Sequence, residues 1–136
     1  MRYRTPKRQK IERAARKVEL DFLQEMRGCA VCGSLQFAVH HIFAGKYRER
    51  ALLVRAAWLP ACWACNSDAL EDKAQWPYER QLALKLICDP SYFDLAEINR
   101  LVGIKDDPHP PQRFTLADVA PWLLVRADFH EFGGIA

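Results

Sequence analysis

Four of the five cysteines occur in two Cys-x-x-Cys pairs, and 29 residues separate Cys32, which closes the first pair, from Cys62, which opens the second. Each pair can form a knuckle that presents two thiolates, and two knuckles can hold one Zn²⁺ in tetrahedral geometry. We expect no secretory signal at the basic N-terminus, and cysteines in that setting favour metal binding over disulfides. The sequence therefore predicts a structural zinc site with four ligands, Cys29, Cys32, Cys62 and Cys65.

Two adjacent histidines, His40 and His41, lie between the cysteine pairs. Four sulfur ligands complete the coordination of zinc, so neither histidine is needed there. An alternative site that combines one cysteine pair with a histidine would leave two thiols without a metal. Because successive side chains of a strand point to opposite faces, the two histidines are expected to have different roles. The simplest assignment is one buried, hydrogen-bonded histidine beside an exposed one.

The elements that position these residues follow from periodicity and capping. Apolar residues recur at three- and four-residue intervals from Ile11 to Met26, which predicts a helix over residues 6–27 that Gly28 ends. Residues 35–42 are a predicted strand, and residues 44–57 a predicted loop with some helix. The second cysteine pair is expected to open a helix that extends to about residue 73.

Three further helices are predicted from their start signals. These signals are a proline at the first helical position, an aspartate cap and a capping box, at Pro77, Asp94 and Thr115-x-x-Asp118. The first two helices should end at residues 87 and 103, and Pro121 must begin or bend the last one. Residues 106–111, DDPHPP, are expected to form an exposed linker.

A chain of 136 residues with 50% apolar content can bury one core, so we predict one domain of the α+β class. It comprises an N-terminal basic helix (1–28), a central unit (29–73) and a helical extension (74–136). No apolar run is long enough for a membrane span, and we expect a cytoplasmic protein. Cys88, in the apolar run LALKLIC, is expected to be a buried thiol.

Positive charge is concentrated at the N-terminus. Residues 1–17 carry eight basic residues and one acidic residue, whereas the remainder carries 12 basic and 16 acidic residues. Such an arm attracts a phosphate backbone by steering and counterion release, although a solvated helix face explains the charge equally well. If the partner is DNA, the arm and the basic loop that ends at Arg55 should contact phosphates, through Arg2, Arg4, Lys7, Arg8, Lys10, Arg13, Lys46, Arg48 and Arg50.

The motifs CAVCG (29–33), VHHI (39–42) and LPACWACN (59–66) together resemble the zinc-knuckle branch of the HNH, or ββα-metal, endonucleases. In that family a strand bearing His-His precedes a loop and a helix opened by Cys-x-x-Cys-Asn. The resemblance covers residues 29–73, about a third of the chain. It implies a ββα-metal core with a structural zinc. The layout also resembles phage or prophage nucleases, which would place the protein in the host cytoplasm.

The resemblance implies a role for each residue of a second metal site. His40 and Asn66 would be ligands of a catalytic divalent metal, Mg²⁺ or a transition metal such as Mn²⁺ or Ni²⁺, and His41 the general base. A neutral imidazole can take a proton from water at neutral pH, and a metal with few protein ligands keeps positions open for a phosphate. The implied reaction is hydrolysis of DNA to 5′-phosphate and 3′-hydroxyl ends.

Two positions depart from the family pattern. Ala57 stands where the family's middle Asn is usual, and residues 69 and 70 are apolar where a third metal ligand often stands. Asp68 and Glu71 are close in sequence, but an α-helical period places them about 200° and 140° from Asn66. Both are therefore expected to be surface residues.

Two other classes of function remain open. A zinc-stabilised DNA-binding or adaptor module without catalysis would have the same zinc and the same arm. A structural zinc ribbon that binds protein would explain the cysteines but not the arm. The combination of His40, His41 and Asn66 favours the enzyme, because a binding module has no need of all three.

Overall fold

The computed structural model describes residues 5–103 and 113–124. Six helices and one two-stranded antiparallel sheet occur in these ranges, which makes the fold α+β, as predicted. Arg2, Arg4 and the expected linker 106–111 lie outside the described residues. The elements in chain order are α1 (Pro6–Glu25), β1 (Ala38–His41), α2 (Arg48–Ala51), β2 (Trp58–Ala61), α3 (Trp63–Cys65), α4 (Tyr78–Cys88), α5 (Leu95–Val102) and α6 (Leu116–Leu123).

Helix α1 is close to its prediction. Thr5 caps it by accepting the backbone N–H of Arg8 at 3.2 Å, and Pro6 occupies the first turn, where its missing N–H costs nothing. Its apolar stripe packs on the sheet through Phe22, which is fully buried and meets Trp58 edge to face. Helix α1 therefore packs on the sheet through its second half, while Arg8 in its first half contacts Glu49 of α2.

The sheet pairs β1 with β2, so that His40 is opposite Leu59 and His41 is opposite Trp58. The observed strand β1 is thus shorter than the strand predicted over residues 35–42. The loop between the strands contains helical turns at Gly45–Tyr47 and Arg55–Ala57 as well as α2, in agreement with the expected loop with some helix. The indole of Trp58 donates to Ala51 O at 2.9 Å and holds this loop against the sheet.

The helix after β2 differs from its prediction. It begins at the second cysteine pair, as expected, but after α3 it continues as a π-helical turn over Asn66–Leu70 and does not extend to residue 73. Glu71 N–H donates to Asn66 O at 3.1 Å, the i→i+5 bond that defines this turn. The α-helical period used to place Glu71 relative to Asn66 therefore does not apply. In the wider turn, Asn66 O accepts from the fifth residue after it, Glu71, rather than from the fourth.

Helix α4 passes through the centre of the molecule and packs on β2 and α6. Five consecutive residues, 81 to 85, are buried, so this helix has no solvent-facing side in its middle. Pro77 is the N-cap of α4, whereas the prediction made it the first residue of the helix. The expected Asp94 cap of α5 and the Thr115–Asp118 capping box of α6 are both confirmed, and Pro121 lies inside α6.

A buried ion-pair network joins the loop before β2 to the end of α4. Arg55 contacts both carboxylate oxygens of Asp89, at 3.1 and 3.2 Å, and Lys85 contacts one of them at 2.6 Å. Arg55 also reaches Glu25 at 2.6 Å and stacks on Tyr92. Arg55 is therefore a buried residue whose guanidinium is paired with Asp89 and Glu25, unlike the exposed Arg48 and Arg50 of the same loop.

Among the described helices, none combines the length and the apolar character that a membrane crossing requires.

Candidate metal centres

The four cysteines of the two pairs form one cluster, with all sulfur atoms within 4.8 Å of one another. The Sγ atoms of Cys32 and Cys62 are 3.6 Å apart. Ligands at about 2.3 Å from a tetrahedral Zn²⁺ are separated by about 3.8 Å, so the cluster is compatible with a structural zinc after small movements of the side chains. The predicted grouping of the four cysteines is confirmed.

Backbone geometry brings the two knuckles together. Gly33 has φ +79° and donates its N–H to Cys29 O at 2.9 Å, which closes the first knuckle. A Cβ on Gly28 would lie 2.8 Å from Gly33 O, so this position also requires glycine. Ala30 N–H donates to Pro60 O at 2.7 Å and docks the first knuckle on β2, directly before Cys62.

The thiols are not equivalent. Burial raises the pKa of Cys32 and Cys65, whereas in Cys62 the effect of burial is outweighed by the hydrogen bonds that its sulfur accepts, and its pKa is lowered. One of these bonds comes from Cys65 N–H at 3.4 Å. Cys88 is half-buried against the core, and burial raises its pKa to about 12, which makes it an unreactive thiol.

His40 lies on the buried face of β1, with 4% of its surface exposed. Its Nδ1 is 2.6 Å from Asn66 Oδ1, and its Nε2 is 2.9 Å from Gln81 Oε1. Burial lowers its pKa. The structure therefore brings together His40 and Asn66, the two residues expected to share a metal, and separates His40 from the cysteine cluster, which disfavours the mixed cysteine–histidine alternative.

His41 points to the opposite side of β1 and is half-buried, as expected for adjacent strand residues. Its ring meets Trp58 edge to face. Burial lowers its pKa, and the positive charges of His40 and Arg48 act in the same direction. Within the described residues its Nδ1 is buried and has no hydrogen-bond partner. Ala57, which is fully buried, has no side-chain acceptor to offer this nitrogen.

Near Asn66, Asp68 and Glu71 are exposed, as expected for surface residues. The π-helical turn nevertheless bonds the backbone of Glu71 to that of Asn66. Burial lowers the pKa of His40, and the negative charge of Glu71 acts in the opposite direction, so Glu71 is a carboxylate whose charge reaches this histidine.

Exposed basic residues occur on α1 and in the loop between the two strands. Lys7, Lys10 and Arg13, which we call the basic stripe, are exposed and recur at three-residue intervals on one side of α1. Arg8 bridges α1 to α2 through Glu49 at 3.0 Å and also pairs with Glu12. Arg48 is exposed, and the exposed Arg50 donates to Arg100 O at 2.9 Å. Lys46 lies in the turn Gly45–Tyr47.

Two residues of the site were not anticipated from the sequence, Gln81 on α4 and Trp58 on β2. Gln81 directly follows Glu79 and Arg80 in the sequence, so no local signal marked it as a buried polar residue. Trp58 precedes the second knuckle by four positions and supports the loop from its buried position. Neither residue belongs to the motifs quoted above.

Comparisons with protein-family models, with curated proteins and with solved structures found no match for this chain.

Proposed function

We propose that this protein is a metal-dependent DNA endonuclease that hydrolyses phosphodiester bonds at a single divalent metal, with a ββα-metal core stabilised by a structural zinc. The observation that carries the proposal is the meeting of His40 Nδ1 and Asn66 Oδ1, 2.6 Å apart, where β1 and the helical segment after β2 converge. The four-cysteine cluster connects the start of that segment, at Cys62 and Cys65, to the first knuckle, at Cys29 and Cys32.

The donor atoms fit the expected metal. An imidazole nitrogen and an amide oxygen suit Mn²⁺, Ni²⁺ or, with more water ligands, Mg²⁺. Two ligands at about 2.1 Å and a right angle are about 3 Å apart, so these side chains need to separate by only about 0.4 Å. When bound, the metal supplies charge stabilisation for the scissile phosphate and the leaving oxygen.

His41 is proposed as the general base. Its lowered pKa keeps the imidazole neutral at neutral pH, as proton abstraction from water requires. Since Nδ1 is buried, Nε2 is the nitrogen that meets the water. Among the described residues no acceptor meets Nδ1, so a proton held there costs about 1–3 kcal/mol and makes His41 a weaker base than one with a bonded Nδ1.

The basic residues support DNA as the substrate. Arg48 lies close enough to His41 for its charge to lower the histidine's pKa, so a phosphate at the site would meet a guanidinium. The basic stripe adds exposed positive charge on the outer face of α1, roughly opposite to Arg8, which contacts Glu49 of α2. Contacts of this kind carry affinity without sequence information.

A zinc-stabilised DNA-binding module without catalysis is the second candidate. It is favoured by the satisfied state of His40, whose two ring nitrogens both have protein partners, and by the unpartnered Nδ1 of His41. This candidate keeps the cysteine cluster and the basic stripe and assigns the His40–Asn66 contact to structure alone.

Cleavage of plasmid and branched DNA by the zinc-loaded protein tests the proposal. We expect cleavage with added Mg²⁺ or Mn²⁺, none with a chelator of those ions, and 5′-phosphate ends. His41→Ala should bind the same DNA and cleave about 10²–10⁴-fold more slowly. Binding without cleavage by the wild type under all of these conditions would establish the second candidate instead.

A further inference from the structure

Gln81 is fully buried, and its hydrogen bonds determine which way its amide faces. The Nε2 group donates to two backbone carbonyls, Leu70 O at 3.0 Å and Trp76 O at 2.9 Å. A rotated amide would place its oxygen against both carbonyls, where no hydrogen would be shared. Gln81 Oε1 must therefore face His40, and an amide oxygen only accepts.

The contact with Gln81 determines which ring nitrogen of His40 carries a hydrogen. Its Nε2, 2.9 Å from Gln81 Oε1, must carry a hydrogen to make that bond. A neutral imidazole has one N–H, so Nδ1 keeps its lone pair. The ring is 4% exposed and its hydrogen-bond partners among the described residues are two amides, an environment that favours the neutral form. The lone pair of Nδ1 then faces Asn66 Oδ1, an acceptor, at 2.6 Å.

Two acceptors at that distance repel unless a cation lies between them or the Asn66 amide rotates to donate. Either way, Nδ1 is the atom of His40 that can bind a metal. We propose that Gln81 is a positioning residue that fixes the Nε2–H tautomer of His40 and thereby directs Nδ1 and Asn66 Oδ1 at one divalent metal ion. This inference rests on the proposed function and assigns a task to α4, which lies outside the motifs that resemble a nuclease.

The hydrogen bonds that orient Gln81 also connect it to the segment that carries Asn66. The carbonyls that hold Gln81 belong to Leu70, the last residue of the π-helical turn, and to Trp76, just before α4. Gln81 therefore links the segment that carries Asn66 to the ring of His40. Substitution of Gln81 should alter both ligands at once, as partners of metal ligands generally do, with a loss of metal affinity of about 10–100-fold.

The ¹⁵N shifts of the His40 ring in the zinc-loaded full chain, before any second metal is added, test the tautomer directly. We expect a protonated Nε2 and an unprotonated Nδ1. A protonated Nδ1 in the wild type would overturn the proposal, and this measurement does not depend on the folding of any variant or on nuclease activity.

The role of Gln81 in metal binding is tested with Mn²⁺, through its broadening of the His40 resonances. Gln81→Met, which keeps the length of the side chain, should lose the single tautomer and bind Mn²⁺ about 10–100-fold more weakly. Gln75→Met, at an exposed position, should behave as the wild type.

The outcomes separate the two proposals. Equal Mn²⁺ affinity in the wild type and folded Gln81→Met overturns the role of Gln81 and leaves the proposed function standing. A wild type that has the expected tautomer but binds no Mn²⁺ at His40 overturns the metal site of the proposed function, and the role of Gln81 in metal binding with it.

Discussion

Removal of zinc should unfold the protein rather than loosen one loop. The sulfur atoms are already near tetrahedral spacing, with Cys32 and Cys62 3.6 Å apart, so little of the binding free energy is spent on rearrangement. Structural zinc contributes about 10–16 kcal/mol in small knuckle sites at pH 7, which equals or exceeds the total stability of about 5–15 kcal/mol of an ordinary domain. Cys62→Ser should therefore abolish cooperative unfolding in urea.

Proton uptake provides a second measure of the same event. Thiolates released from zinc at neutral pH take up protons, because the ordinary pKa of a thiol lies above 7. We expect uptake of several protons per zinc, up to about four, and easier release of zinc as the pH falls.

Urea titrations followed by circular dichroism, with metal analysis of each sample, measure the effect. Cys88→Ala is the matched control, since it removes a half-buried thiol outside the cluster. It should keep the zinc and cost no more than about 1–2 kcal/mol. Purified wild type without tightly bound zinc, or Cys62→Ser with the urea midpoint of the wild type, would refute the zinc assignment.

Three further predictions concern other parts of the molecule. Asp89→Ala should lower the free energy of unfolding by about 3–5 kcal/mol, because it leaves Arg55 and Lys85 short of a buried partner; Glu25→Ala, at the exposed end of the network, should cost less than about 1 kcal/mol in the same urea assay. Glu71→Gln should weaken Mn²⁺ binding at His40, whereas Asp68→Asn should leave it unchanged. Equal affinities in the two variants would show that Glu71 does not act on the metal site. Replacement of the basic stripe by glutamine should flatten the slope of log affinity for DNA against log salt by up to about 2.7, whereas an unchanged slope would mean that α1 does not contact phosphates.

Local signals in the sequence were sufficient for the elements that carry their own caps. Thr5 and Pro6 begin α1, Asp94 begins α5 and the Thr115–Asp118 box begins α6, each where expected. The cysteine spacing likewise predicted the cluster, because ligand geometry restricts how two knuckles can meet.

Long-range contacts could not be predicted in the same way. Gln81 meets His40 across 41 positions of sequence, and Arg55 meets Asp89 across 34. Charge alone predicted Arg55 at the surface, and only the fold supplies the acids that allow its burial. The π-helical turn at Asn66 was missed because capping and periodicity describe α-helices, so the position of Glu71 followed from the structure.

The rate of plasmid cleavage across a Mn²⁺ titration, measured for His40→Ala and His41→Ala beside the wild type, tests the central claim most directly. His41→Ala should remain slow at every Mn²⁺ concentration, since a general base is lost while the metal site stays intact. His40→Ala should recover part of its activity as Mn²⁺ rises, because it has lost a ligand. Both should keep zinc on their four cysteines. Release of zinc or unfolding in either variant, or cleavage by both at the wild-type rate, would contradict the proposal of a separate catalytic metal site.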